Sequence, residues 1–259
     1  MKSTLKTWTG LGLATALVGA GLAGCAGEAG EAGSEGDPSA VAGEGGEGGE
    51  GGEGEGGESA SASALPVEQR LAFMAGHAAA GIALYRAGEA EAAAPHLSHP
   101  VSETHADERA GLEALGFQPA VFEAVSAALE AGKPAAEIEP QLAAAEANLD
   151  AMRAKAGGDP AALITYLMGV AREEYGAAVK DGAVTDPGEY QDAWGFAKVA
   201  RQIADRIEGP QGKTVRAELD TLIKLWPGDA PVPPAKPAPA GQVSAQASKV
   251  ELALGKQGS

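Results

Sequence analysis

The chain has 259 residues, of which 19 are basic and 36 are acidic, so its formal net charge is -17. This charge argues against a nucleic-acid partner, because phosphate binding needs clustered lysine and arginine. Aromatic residues make up only 4% of the chain, alanine is abundant, and β-branched residues are sparse between Leu65 and Trp226. This mixture favours closely packed helices over strands. We therefore expect an all-α fold.

Residues 1–24 have the layout of a secretory signal peptide, with two lysines, an apolar run and then small residues. Cys25 follows directly, and the tetrad Leu22-Ala23-Gly24-Cys25 resembles the lipobox of bacterial lipoproteins. That resemblance implies cleavage before Cys25 and lipidation of this residue, and Ala26 after it favours the outer membrane, facing the periplasm. The alternative interpretation is a chance cysteine beside a membrane-spanning helix.

A low-complexity acidic segment follows the cysteine, with a Gly-Gly-Glu repeat at residues 45–53 and no basic residue between Ala26 and Ala64. Glycine maximises the entropy lost on ordering, the glutamates repel one another, and no apolar surface is offered in return. We predict a lipidated cysteine and disordered linker at residues 25–65 that act as a tether. A weak cation sponge is the alternative role for its glutamates.

Helical periodicity begins after Pro66 and predicts a helical domain at residues 66–229. The Asp159-Pro160 and Asp186-Pro187 pairs are typical helix starts, with aspartate as the cap. We expect about five to seven bundle helices, drawn from candidate segments at residues 67–87, 89–97, 101–115, 119–131, 134–155, 161–180, 187–208 and 213–226. Residues 230–259 are predicted to be a proline-rich segment and a C-terminal tail of weak helical periodicity.

All four histidines of the chain lie between residues 74 and 105. Imidazole is the most common ligand for transition metals, so this concentration predicts a metal site. The candidate ligands are His77, His96, His99, Glu103 and His105. Such a set suits iron, copper or zinc better than calcium or magnesium. The alternative is four unrelated histidines, one in a core and the others on a loop.

A second group of polar residues lies in the other half of the domain. Its members are secondary metal candidates because carboxylates and tyrosines bind hard cations: Glu174, Glu189, Tyr190 and Asp192. The alternative is that these charges form the solvent-facing side of an amphipathic helix.

Two stretches of the chain, EYGAAVKDGAVTDPGEYQDAWGF and LWPGDAPVPP, are similar to the periplasmic helical region in front of the membrane part of bacterial high-affinity iron permeases. The earlier GHAAAGIALYRAG and HLSHPVSE resemble the histidine-bearing helices of proteins related to that region. The resemblance covers roughly residues 66–235. It implies an extracytoplasmic helical module that handles iron or another transition metal, with an iron or copper transport system as its partner. The chain departs from the permeases in having no transmembrane segment after Cys25, so it is expected to be an accessory binder.

The sequence therefore predicts a lipid-anchored helical protein that binds iron first and copper second, for delivery, storage or sensing. The alternative is a structural or interaction lipoprotein of the cell envelope with incidental histidines. An enzyme is not expected, because the chain shows no Ser-His-Asp pattern, no activated cysteine and no phosphate-binding loop.

Overall fold

The computed structural model describes residues 65–98, 109 and 111–255, which lie within one compact unit. The predicted signal peptide, Cys25 and residues 26–64 lie outside this part of the chain. No helix among the described residues is both long enough and apolar enough to cross a membrane.

The described residues are mainly helical, which confirms the all-α prediction. Their helices, in chain order, are α1 Val67–Arg86, α2 Ala90–Ser98, α3 Pro119–Glu130, α4 Glu139–Ala156, α5 Pro160–Ala178, α6 Pro187–Ile203, α7 Gly209–Ile223 and α8 Ala240–Gly255. Short 3-10 turns occupy Glu113–Leu115, Ala135–Glu137 and Ala204–Arg206. A small antiparallel hairpin of β1 Val179–Lys180 and β2 Ala183–Val184 joins α5 to α6.

The starts of α5 and α6 follow the sequence signals. Asp159 accepts a hydrogen bond from the backbone N–H of Ala161, and Asp186 accepts from the N–H groups of Gly188 and Glu189. Each aspartate is followed by a proline at the first helical turn, where the missing N–H costs nothing. The Asp186 cap fixes where α6 begins. Helix α6 carries the carboxylate of the site described below.

Helices α5, α6, α7 and α8 form a closed ring of four, because each packs against the next and α8 packs back on α5. The C-terminal segment therefore belongs to the helical core, which extends beyond residue 229. Helix α8 buries one apolar face, including Val243, Ala247 and Val250, against its neighbours. Helix α6 ends at Ile203, five residues before the predicted end at residue 208. The Gly209-Pro210 pair begins α7, where proline is accepted in the first helical turn.

Helix α1 packs on the outer face of α6, and the two helices approach closely at a pair of glycines. A Cβ added at Gly195 would lie 2.1 Å from the backbone oxygen of Gly76, and a Cβ at Gly76 would overlap the ring of Phe196. No side chain larger than hydrogen fits at either position without moving a helix. This contact sets how far side chains of α1 must reach to meet α6.

Helix α2 folds back on α1 in a short hairpin, closed by the left-handed Gly88. Its contact with α1 also needs a glycine, since a Cβ at Gly81 would lie 2.7 Å from Leu97 Cγ and 2.9 Å from His96 Cβ. Both helices run as the sequence predicts, to within two residues. The helix predicted at residues 134–155 starts later, at Glu139, because Pro134 and the turn Ala135–Glu137 precede it.

Candidate metal centre

His77 lies in the middle of α1, on the side that faces α6. Its ring packs edge-to-face against two phenylalanine rings, Phe73 at a centroid distance of 4.6 Å and Phe196 at 5.2 Å. The two phenylalanine rings also stack on one another at 5.2 Å. This aromatic enclosure leaves His77 only 7% exposed and points its Nδ1 atom at Asp192 Oδ1, 2.8 Å away.

His96 reaches the same carboxylate from α2. Its Nδ1 atom lies 2.9 Å from Asp192 Oδ1, and its Nε2 atom lies 2.8 Å from Gln191 Oε1. The ring is 4% exposed and lies 6.4 Å from the ring of His77, centroid to centroid. The hairpin of α1 and α2 therefore brings both histidines to one oxygen atom of α6.

Asp192 and Gln191 lie within a run of α6, residues 190–197, in which every residue is buried. Burial by itself would raise the pKa of the Asp192 carboxyl, but the charges and hydrogen bonds of His77 and His96 outweigh it and hold this pKa well below its usual range. For His96 the signs are opposite. Burial by itself would lower its pKa, but the hydrogen bond to Asp192 and the charge of that carboxylate outweigh burial, so the pKa of His96 is raised overall. The cluster thus favours a carboxylate and a tightly held imidazole proton.

One donor atom each from His77, His96 and Asp192 lies within 4.8 Å of the others, which is close enough for a single ion. The separations of 2.8 and 2.9 Å between each Nδ1 and Asp192 Oδ1 are those of ordinary hydrogen bonds, in which each imidazole N–H donates to the carboxylate. An ion bound by these three side chains would replace the two Nδ1 protons.

The structure brings together two of the five histidine-region candidates. His77 and His96 share the site, whereas His99, Glu103 and His105 lie outside the described residues. Their proposed roles as ligands stay predictions.

The secondary carboxylate group is divided by the structure. Asp192 joins the histidines, and among the described residues no group of three ligands includes Glu174 or Glu189. Glu174 is buried on α5 and Glu189 is half-buried in the first turn of α6. Tyr190 is enclosed by Tyr175 and Trp226, with ring centroids 5.6 and 6.0 Å away. Tyr190 thus belongs to an aromatic cluster of the four-helix ring.

Sequence reasoning missed Gln191 and placed Asp192 in a different candidate site from the histidines. Helical spacing groups Asp192 with Glu189, and nothing in the local pattern shows that α1 packs on α6. The available signal was the set of glycines in both segments, since Gly76 and Gly195 mark two helices that approach closely. A buried glutamine beside a buried aspartate is visible only once the helices are packed.

The C-terminal part of the domain matches a known family model. Residues 152–257 match the iron permease-associated 4-helix bundle domain. The matched region contains the four helices α5 to α8. The resemblance to the periplasmic region of iron permeases is confirmed for this part of the chain. Neither a curated protein nor a solved structure gives a significant match to the chain.

The iron permease-associated region supplies only part of the candidate metal centre. Asp192 and Gln191 lie inside residues 152–257, whereas His77 and His96 lie before them. The match covers less than half of the chain and does not include the histidine-bearing helices. The candidate metal centre therefore lies where the α1–α2 hairpin packs on the matched four-helix bundle.

Proposed function

We propose that this chain binds one transition-metal ion, Fe(II), at His77, His96 and Asp192, and serves an iron transport system as an accessory protein for delivery, storage or sensing. The observation that carries the proposal is the convergence of two imidazoles and one carboxylate from three helices on one point. The iron permease-associated match supports iron as the metal and an iron transport system as the partner.

The donor set favours iron among the transition metals. Two histidines and one carboxylate, with further positions left for water or another ligand, are a recurrent set for non-haem Fe(II). Copper is the second candidate, because imidazole also suits Cu(II) and divalent copper binds most nitrogen and oxygen sites more tightly than iron.

The burial of the site favours the ferrous over the ferric ion. Asp192 contributes one negative charge and neutral imidazoles contribute none, so bound Fe(II) leaves a net charge of +1 and Fe(III) leaves +2. Because an uncompensated charge is costly away from water, the site stabilises the lower oxidation state. Binding of the ion would displace the Nδ1 proton that each imidazole donates to Asp192.

Cell-envelope anchoring completes the proposal. The lipobox-like tetrad ending at Cys25 and the acidic linker support a lipid-anchored protein on a tether. An anchor of more than one acyl chain holds a protein at the membrane stably. A tethered domain of this kind stays near the membrane transport system while its metal centre remains free to reorient.

An anaerobic Fe(II) titration, measured by isothermal calorimetry, tests the metal proposal. The wild-type protein is expected to bind one ion per chain, and Asp192→Asn to lose at least about 100-fold in affinity, more than changes to surrounding residues usually cost. The matched control is Asp220→Asn, which changes an exposed aspartate bonded to Arg201 and should leave the affinity unchanged.

The same titration separates the alternatives. Saturable binding that survives Asp192→Asn contradicts the site. No saturable binding of Fe(II), Cu(II) or Zn(II) by the wild type contradicts the metal proposal altogether and leaves the buried His77–Asp192–His96 network as a structural element of an interaction protein.

A further inference from the structure

The side chain of Gln191 forms a hydrogen bond with one proposed ligand, His96. Its Oε1 atom lies 2.8 Å from His96 Nε2, on the side of the imidazole ring opposite to the one that faces Asp192. Gln191 is 3% exposed and His96 is 4% exposed, so water is not the main partner of either group. The pair is a buried contact between adjacent side chains of two helices, α6 and α2.

We infer that Gln191 is a positioning residue that fixes which nitrogen of His96 binds the ion: His96 coordinates through Nδ1, and Nε2–H donates to Gln191 Oε1. This inference rests on the proposed metal site and names the atoms that it uses. His77 also presents Nδ1 to Asp192 Oδ1, at 2.8 Å.

The chemistry of the ring requires this assignment. A neutral imidazole carries one proton, so a ring that binds a metal at Nδ1 keeps its proton on Nε2 and needs an acceptor there. A glutamine amide can present either its oxygen or its nitrogen, but only the oxygen accepts from Nε2–H. Gln191 therefore satisfies the imidazole in the metal-bound state without adding a charge beside Asp192.

The packing around His96 explains why this contact controls the ring. The backbone of α2 at His96 is held against α1 by the close approach at Gly81. The orientation of the imidazole ring can therefore change only by rotation about its side-chain bonds. Rotation by half a turn would place a ring carbon where Nδ1 faces Asp192. The hydrogen bond to Gln191 opposes that rotation, since a carbon atom would then face the amide oxygen.

Histidine NMR tests the inference directly, because the chain has four histidines and their nitrogen signals can be resolved. In the Zn(II)-loaded wild-type protein, with Zn(II) as a diamagnetic probe, His96 should show a protonated Nε2 and a metal-bound Nδ1. Gln191→Leu should lose this single tautomer and about 10- to 100-fold in Zn(II) affinity. Gln191→Glu keeps an acceptor of the same length and should restore the protonated Nε2.

A matched control is Gln246→Leu, which removes another buried glutamine, bonded to Glu218 on α7, and should leave the His96 signals unchanged. Binding of Zn(II) through His96 Nε2, or an unchanged tautomer and affinity in Gln191→Leu, overturns the inference while the metal site stands. A wild-type protein that binds neither Zn(II) nor Fe(II) contradicts the proposed function instead. The two failures are therefore distinguishable.

Discussion

At the scale of single residues, the candidate metal centre depends on one carboxylate oxygen that accepts from two imidazoles. Asp192 Oδ1 lies within 2.9 Å of Nδ1 of both His77 and His96. A buried ion pair of this kind adds little net stability compared with apolar packing, because desolvation opposes it. Because such a pair adds little stability, the burial of Asp192 supports the proposal that this carboxylate binds a ligand.

A second buried polar group gives a test of the core that is independent of the metal. Burial raises the pKa of Tyr175 to about 12. Its hydroxyl donates to the Ala238 carbonyl, a hydrogen bond that only the neutral phenol makes. The ionised phenolate is disfavoured in the folded state, so the stabilising difference is fully present below pH 10 and is lost as pH rises towards 12.

We therefore expect the free energy of unfolding of the wild-type protein to fall more steeply between pH 10 and 12 than that of Tyr175→Phe. Urea unfolding of both proteins over this range measures the difference, and the shared titration of lysines cancels. Parallel curves for the two proteins would show that Tyr175 ionises in the folded state as easily as in the unfolded chain.

At the scale of helices, the site exists because α1 and α6 touch at Gly76 and Gly195. Gly195→Ala places a Cβ 2.1 Å from the Gly76 carbonyl oxygen, so the helices must separate. Overpacking of this kind costs about 1–3 kcal/mol of stability. Because His77 meets Asp192 across the same contact, the separation should also weaken metal binding.

The control for this substitution is Gly176→Ala in α5, where an added Cβ meets nothing within 4 Å. It should stabilise the protein by about 0.5–1 kcal/mol, since alanine favours the helix over glycine. Thermal unfolding and Fe(II) titration of both variants give the comparison. Equal stability and equal affinity of the two variants would show that the α1–α6 contact does not govern the site.

The sequence predicted the helices well and their packing poorly. Aspartate-proline pairs located the starts of α5 and α6, because capping is a local interaction. The concentration of histidines identified His77 and His96. Asp192 was grouped with Glu189 instead, because residues three apart share one face of a helix. Only the long-range contact between α1 and α6 joins residues 77 and 192, and helical periodicity carries no information about such a contact.

At the scale of the whole molecule, the matched four-helix bundle carries an added helical hairpin. The bundle of α5 to α8 corresponds to the iron permease-associated region, and α1 and α2 bring the histidines to it. The proposed metal centre therefore needs both parts of the domain. A protein limited to residues 152–257 contains one of its three proposed ligands.

The anchoring proposal is tested in cells that process lipoproteins. Cys25→Ala should remove the acylation site, so the protein should appear unprocessed or leave the membrane fraction. Fractionation with intact-mass analysis measures both results, and Ala26→Ser, which changes a neighbour without removing the thiol, is the control. A processed Cys25→Ala protein that still sediments with membranes would require a different anchor.

The most direct test of the metal centre is anomalous diffraction at the iron edge from crystals of the protein grown anaerobically with Fe(II). The predicted result is one anomalous peak per chain, within bonding distance of His77, His96 and Asp192. The result that would contradict it is an empty site between these side chains in crystals whose protein binds Fe(II) stoichiometrically in solution, with the anomalous peak elsewhere on the chain.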